Sequence, residues 1–122
     1  MIKIKRMFAW GMLIAFAAMM FQPLHMMKAV AQPYEIEGQY SANGTNPDGS
    51  PYTGVVIIRK DGDMYSFHWK VGTEYYGHGT LKDNKLTVFW GAPDPVIYTV
   101  KDGGKTLDGV WAGGRGKETL RR

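Results

Sequence analysis

The sequence contains no cysteine among its 122 residues. This absence excludes a disulfide framework, a thiolate zinc site and a cysteine-linked lipid anchor. Long hydrophobic runs are absent as well, because the longest, residues 7–21, falls short of the roughly 20 residues needed to cross a bilayer. A chain of this size must therefore be held together by one apolar core, and we expect one domain.

The first 31 residues predict a secretory signal peptide. Lys3, Lys5 and Arg6 precede the apolar run, and the small residues "AVA" at 29–31 form a cleavage site. An uncleaved membrane anchor is the alternative. Cleavage would leave residues 32–122 as a single domain without a membrane anchor, exported to the periplasm or secreted.

The excess of positive charge lies in this predicted signal. It carries four of the 15 basic residues and none of the 11 acids, so that the remaining chain holds 11 of each. The formal net charge of +4 therefore does not belong to the exported domain. Overall charge gives no support to nucleic-acid binding, and we expect no nucleic-acid partner.

Apolar and polar residues alternate along most of residues 34–121, and turn signals such as "NPDG", "DG" and "DGG" recur about every 8 to 12 residues. This pattern predicts an all-β fold, an antiparallel up-and-down meander that forms a small barrel or a strongly curled sheet. We predict about eight short strands, near 34–42, 52–60, 64–71, 75–82, 85–91, 96–101, 106–112 and 115–121.

Three Lys-Asp turns are each followed by a tryptophan, in "KDGDMYSFHW", "KDNKLTVFW" and "KDGGKTLDGVW". Hairpin pairing about the Asp61-Gly62 turn places Trp69 opposite Gly54. The loop at residues 72–74 places Trp69 opposite Gly77, and the "GAPDP" loop places Trp90 opposite Val96. The resulting inner row alternates large and small residues, as small barrel interiors do. The row reads Gly54, Trp69, Gly77, Trp90, Val96, Trp111, Gly116.

The tryptophan layer has two interpretations. It either plugs one end of the barrel as ordinary core, or it lines a pocket at an open mouth. Under the second interpretation the candidate ligand-binding residues are Trp69, Trp90, Trp111, Tyr40, Tyr52 and Glu118.

Glu118 is predicted to point inward, where a carboxylate needs hydrogen-bond partners. The Tyr98 hydroxyl is the partner we expect, although Glu118 could also orient a ligand. No second inward acid or histidine accompanies it, so a catalytic pair is missing. We predict no enzyme and no cofactor, with catalysis through Glu118 as a third hypothesis.

The outer face carries two further candidates. Phe89, Ile97 and Val110 would form an apolar stripe, which suggests a surface for a protein partner. His68 and His78 are predicted to lie opposite each other, but no third ligand accompanies them. We therefore predict no metal site.

The segments "GTNPDGSPYTGVVIIRKDGDMYSFHW", "GHGTLKDNKLTVFWG", "PVIYTV" and "LDGVW", with the ending "GRGKETL", resemble small secreted bacterial proteins catalogued as fibronectin-binding proteins. The resemblance covers approximately residues 38–121. It implies an exported, non-enzymatic binding module with fibronectin or another extracellular protein as partner. The residues themselves leave an alternative open, a lipocalin-like or avidin-like carrier of a small apolar or aromatic ligand under the tryptophan layer.

Overall fold

The computed structural model describes residues 34–122, so the predicted signal peptide and its cleavage site lie outside the described residues. The described chain forms one unit, Tyr34–Arg122. In this part of the chain, no helix is long and apolar enough to cross a membrane.

Eight antiparallel strands follow one another around a closed barrel, in which each pairs with the next and the last pairs with the first. The predicted eight-stranded meander is confirmed, and it closes rather than remaining an open, curled sheet. The strands are β1 (Gly38–Thr45), β2 (Pro51–Asp61), β3 (Met64–Lys70), β4 (Glu74–Lys82), β5 (Lys85–Phe89), β6 (Val96–Lys101), β7 (Thr106–Trp111) and β8 (Gly116–Arg121). Single 3-10 turns, Asp102–Gly104 and Ala112–Gly114, join β6 to β7 and β7 to β8.

The alternation in the sequence places one side chain of every two inside the barrel. Strand β6 shows the pattern in full, because Val96, Tyr98 and Val100 are buried while Ile97 is exposed. The interior is a continuous apolar core. Its buried members are Ile36, Tyr40, Ala42, Val56, Ile58, Tyr65, Phe67, Trp69, Leu86, Val88, Val96, Tyr98, Val100, Leu107 and Leu120.

The first strand begins later than predicted, because the residues before Gly38 close one end of the barrel. Ile36 is fully buried there, and the amide of Glu35 donates to the carbonyl of Gly103 at 3.3 Å. The guanidinium of Arg122 donates to the carbonyls of Glu35 and Glu37, which joins the two ends of the described chain. Gly38 has φ 138, a left-handed value that suits glycine at the change of direction.

Three hairpins pair as predicted, shown by Leu81 opposite Leu86, Gly109 opposite Tyr98 and Trp111 opposite Gly116. These pairs belong to β4–β5, β6–β7 and β7–β8. In all three, the turn residues inferred from the sequence are those on which the hairpin is centred.

Three further hairpins, β2–β3, β3–β4 and β5–β6, are shifted by two residues. Trp69 lies opposite Val56 and Tyr75 rather than Gly54 and Gly77. Val88, not Trp90, lies opposite Val96. Each error comes from placing the centre of a turn one residue away from its true position, which moves the pairing by two. Because side chains alternate with period two, the predicted inner face survives the shift.

The same shift overturns the predicted histidine pair. His68 lies opposite Tyr76, and His78 lies opposite Ser66. His68 is engaged elsewhere, since its Nε2 lies 2.7 Å from Glu74 Oε1 and its ring stacks on Tyr76 with centroids 4.3 Å apart. Among the described residues, no group of three or more histidine and acidic side chains could hold a metal ion.

Candidate ligand-binding site

An open pocket lies at the end of the barrel opposite Ile36, beneath the loops that join β1 to β2, β3 to β4, β5 to β6 and β7 to β8. Its volume is about 190 Å³. An apolar cavity of roughly 150 Å³ suffices for benzene, so this pocket has room for a ligand of about one ring. The lining residues are Asn46, Tyr52, Trp69, Val71, Tyr75, Trp90, Val96, Trp111 and Glu118.

Four aromatic rings form an arc around the mouth of the pocket. Tyr75 packs on Trp90 with centroids 5.5 Å apart, Trp90 on Trp111 at 5.9 Å, and Trp111 on Tyr52 at 6.3 Å. All three contacts are edge-to-face, the arrangement favoured by the charge distribution of aromatic rings. The indole nitrogen of Trp90 also donates to the carbonyl of Asp94 at 3.1 Å. The rings are therefore held in place before any ligand arrives.

Glycines on the neighbouring strands position two of these rings. Gly44 is the cross-strand partner of Tyr52, and Gly116 is the partner of Trp111. Each ring lies flat against its glycine, where a Cβ atom would overlap it. An aromatic ring over a strand glycine covers a weak point of the sheet. Here the same contact also fixes the position of the ring in the pocket wall.

Glu118 forms the floor of the pocket and is only 5% exposed. Its carboxylate accepts three hydrogen bonds, from the Tyr98 hydroxyl at 2.5 Å, the Tyr52 hydroxyl at 2.8 Å and the Trp69 indole nitrogen at 3.1 Å. The predicted Glu118–Tyr98 contact is confirmed. Tyr98 and Glu118 both lie opposite Gly109, one on each side, and the missing side chain lets the hydroxyl reach the carboxylate.

The two hydroxyls on this carboxylate keep their protons at neutral pH. Burial, followed by the charge of Glu118, raises the pKa of Tyr98 well above its usual value. The same two causes, in the same order, raise the pKa of Tyr52. Neither tyrosine can serve as a base, and the pocket lining contains no histidine or lysine. Apart from its tyrosines, Glu118 is therefore the one titratable residue of the pocket lining.

Five of the six predicted ligand-binding residues line the pocket, namely Tyr52, Trp69, Trp90, Trp111 and Glu118. Their contact with a ligand stays a prediction. The sixth, Tyr40, does not line it. It lies near the start of β1, at the closed end, where its hydroxyl donates to the carbonyls of Gly104 at 2.6 Å and Ile36 at 3.1 Å. Burial raises the pKa of Tyr40 to about 12.

Sequence reasoning missed Asn46, Val71, Tyr75 and Val96 as lining residues, although it placed Val96 in the inner row. The inward direction of Tyr75 was predictable, because Tyr75 lies two residues before the inward-facing Gly77 in the alternating pattern. The shifted β3–β4 register hid its position directly opposite Trp69. Asn46 and Val71 lie just beyond strand ends, where period-two patterning carries no information.

The predicted outer stripe is exposed but not continuous. Phe89 is 59% exposed, Ile97 37% and Val110 39%. Ile97 and Val110 are direct cross-strand partners, whereas the β5 partner of Ile97 is Thr87 rather than Phe89. The two-residue shift between β5 and β6 therefore offsets Phe89 from the other two side chains.

Comparison with known proteins bears on the fold alone. A scan against protein-family models and a search of curated proteins give no match. Among solved structures, the chain is similar to a redesigned beta barrel, with 17% identity and a TM-score of 0.53. The match covers 71% of this chain and 90% of that chain. The similarity agrees with the barrel described above.

Proposed function

We propose that this protein is a non-enzymatic binding module that holds a small ligand in the pocket at the open end of its barrel. The observation that carries the proposal is a preformed aromatic pocket above a buried carboxylate, in a barrel whose other end is closed by Ile36. Mouths of small barrels are common binding sites, and apolar linings with a few placed polar groups are typical of them. Export to the periplasm or beyond stays a prediction from residues 1–31.

A plugged barrel end is the alternative to a pocket. Ordinary core packs to a density that leaves few voids larger than a water molecule. Trp90 and Trp111 are instead only half-buried and stand at the edge of a space of about 190 Å³. Their arrangement supports a role as pocket walls rather than as filling.

Benzyl alcohol, a neutral molecule with one ring, should bind in this pocket. We expect saturable shifts of the indole N–H resonances of Trp69, Trp90 and Trp111 in NMR titrations. Trp90→Phe should weaken the affinity about fivefold through lost ring contact. The same change should alter the free energy of unfolding by less than about 1 kcal/mol, because Trp90 is half-buried.

The double variant Phe89→Lys with Ile97→Lys is the control for that titration. Both side chains point away from the pocket, so its affinity for benzyl alcohol should match that of the wild type. Absence of saturation up to about 20 mM, a concentration that would detect even millimolar affinity, would contradict the pocket proposal. Equal weakening by the control and by Trp90→Phe would also contradict it.

A second candidate function is capture of an extracellular protein through the outer face. The exposed cross-strand pair Ile97 and Val110 favours it, because exposed apolar side chains close together suggest a contact surface, and Phe89 is exposed two residues further along β5 from the partner of Ile97. Fibronectin is the first partner to test, given the resemblance of the sequence.

Immobilised fibronectin should then retain the wild-type protein, and the double lysine variant should lose capture while keeping its melting temperature. The near-zero charge of residues 32–122 predicts that specific capture survives about 0.15 M salt, where surface charges more than about 8 Å apart are screened. Trp90→Phe is the matched control and should be captured normally. Capture that vanishes with salt, or that persists in the lysine variant, would exclude this surface.

A further inference from the structure

The pocket contains one formal charge, and nothing in its lining neutralises it. Glu118 is the single charged residue among the nine lining side chains. Its three hydrogen-bond donors are two hydroxyls and an indole N–H, all of them neutral groups. An ionised carboxylate is the form that accepts without donating, which fits this set of partners.

Within residues 34–122, Glu118 takes part in no ion pair. The charge of Glu118 acts on both Tyr52 and Tyr98 and raises the pKa of each. No lysine or arginine is among the causes that shift either pKa. By contrast, Asp108 on the outer face has Lys101 beside it, with Nζ 2.6 Å from its carboxylate.

The walls above this charge are also suited to a cation. Aromatic faces carry negative partial charge, and tryptophan attracts cations most strongly. Trp69, Trp90 and Trp111 line the pocket together with Tyr52 and Tyr75. Five rings beside one anionic group form an environment that favours a positive charge with an apolar surface.

We propose that the ligand of this pocket is a small organic cation of the alkylated ammonium class, held by the aromatic walls over the Glu118 carboxylate. This inference rests on the proposed binding function and specifies its ligand. The volume of about 190 Å³ accommodates a trimethylammonium group with a short substituent.

The hydrogen bonds that Glu118 already accepts favour a ligand whose nitrogen is alkylated. A primary ammonium brings three donors, each of which needs an acceptor once it leaves water. The carboxylate oxygens of Glu118 already accept three bonds. A fully alkylated nitrogen has no N–H to satisfy and offers methyl groups to the rings. The pocket therefore favours it over an unsubstituted ammonium.

Three probes of similar shape test the assignment on the wild-type protein: choline, 3,3-dimethylbutan-1-ol and 3,3-dimethylbutanoate. They carry a positive charge, no charge and a negative charge. We expect choline to bind about tenfold more tightly than the neutral alcohol, of which about threefold corresponds to one cation–aromatic contact and the rest to the charge of Glu118. The anion should bind most weakly, and ethanolamine should bind more weakly than choline.

Glu118→Gln removes the charge but keeps an acceptor for the surrounding donors. The preference for choline over the neutral alcohol should fall from about tenfold to about threefold or less, the part due to the rings alone. Glu35→Gln is the matched control, because it removes an equal charge from an exposed position at the closed end. It should leave the preference unchanged, and well-dispersed indole resonances verify that both variants are folded.

Equal or tighter binding of the neutral alcohol would overturn the cation assignment and leave the pocket function standing. An unchanged preference in Glu118→Gln would overturn the role of the carboxylate. Failure of all three probes to saturate at about 20 mM would also overturn the assignment. The benzyl alcohol titration then shows separately whether ligand binding in the pocket fails with it.

Discussion

Gly77→Val should destabilise the barrel by about 3 kcal/mol and lower its melting temperature by roughly 10 to 20 °C. Gly77 is buried on the inner face of β4, where its neighbours leave no room for a side chain. A Cβ at this position would lie 2.6 Å from the carbonyl oxygen of Phe89 and 3.0 Å from the Trp69 ring. The carbonyl belongs to the strand ladder, and Trp69 is buried, so neither can move away at low cost.

Thr80→Val is the matched control, since it places the same residue on the exposed face of the same strand. Its effect should stay within about 0.5 kcal/mol. Gly77→Ala should fall between the two variants, because it adds the Cβ without the branched methyl groups. Thermal unfolding followed by circular dichroism measures all three. A Gly77→Val protein that melts within one or two degrees of the wild type would contradict the packing described for β4.

The alternation of apolar and polar residues was sufficient to predict the strands and their inner face. Trp69 shows that this pattern predicts the direction of a side chain but not its cross-strand partners. The inward direction of its side chain follows from the period of two, because shifting the strand pairing by an even number of residues leaves every side chain on the same face. Its cross-strand partners depend on the centre of each turn, and a turn displaced by one residue changed them from Gly54 and Gly77 to Val56 and Tyr75.

The closed end could not be predicted from periodicity. Tyr34 and Ile36 continue the alternation of β1, so the sequence alone extends the strand through them. In the structure, Ile36 packs over the core and the chain there bonds to the β6–β7 turn through Gly103. Burying Ile36 over the end of the core is a tertiary effect that no local pattern encodes. Tyr40 lies at this closed end, where its hydroxyl bonds to the carbonyls of Ile36 and Gly104, and therefore does not line the pocket.

The candidate site was only partly predictable for a related reason. Glu118 and Tyr98 could be matched because both face Gly109 in hairpins whose turns were identified correctly. Trp69 reaches the same carboxylate from β3, which is not adjacent to β8 in the barrel. Contacts across the interior depend on barrel closure and ring orientation, which strand pairing does not specify.

Glu118→Leu should cost about 2 kcal/mol of stability, because it leaves the buried Tyr98 hydroxyl without an acceptor. The Tyr98 hydroxyl and the Trp69 indole N–H both donate a hydrogen bond to Glu118 Oε2. A buried donor without an acceptor lowers the free energy of unfolding by about 1–3 kcal/mol. The Trp69 indole N–H keeps the Tyr98 oxygen as a second acceptor at 3.2 Å, so the Tyr98 hydroxyl is the buried donor left without a partner. Glu118→Gln retains a carbonyl oxygen and should lose much less.

A double-mutant cycle then separates the hydrogen bond from the space that Glu118 fills. Tyr98→Phe alone should cost about 1.5 kcal/mol, typical of a bond to a charged group. In the Glu118→Leu background the same change should cost less, since the hydroxyl it removes has lost its acceptor and keeps only the bond that it accepts from the Trp69 indole N–H at 3.2 Å. Urea unfolding with equal m-values would measure a coupling energy of about 1–2 kcal/mol. Additive losses would mean that the 2.5 Å contact contributes nothing to stability. The carboxylate would then be held in the pocket floor by packing and by its bonds to Tyr52 and Trp69.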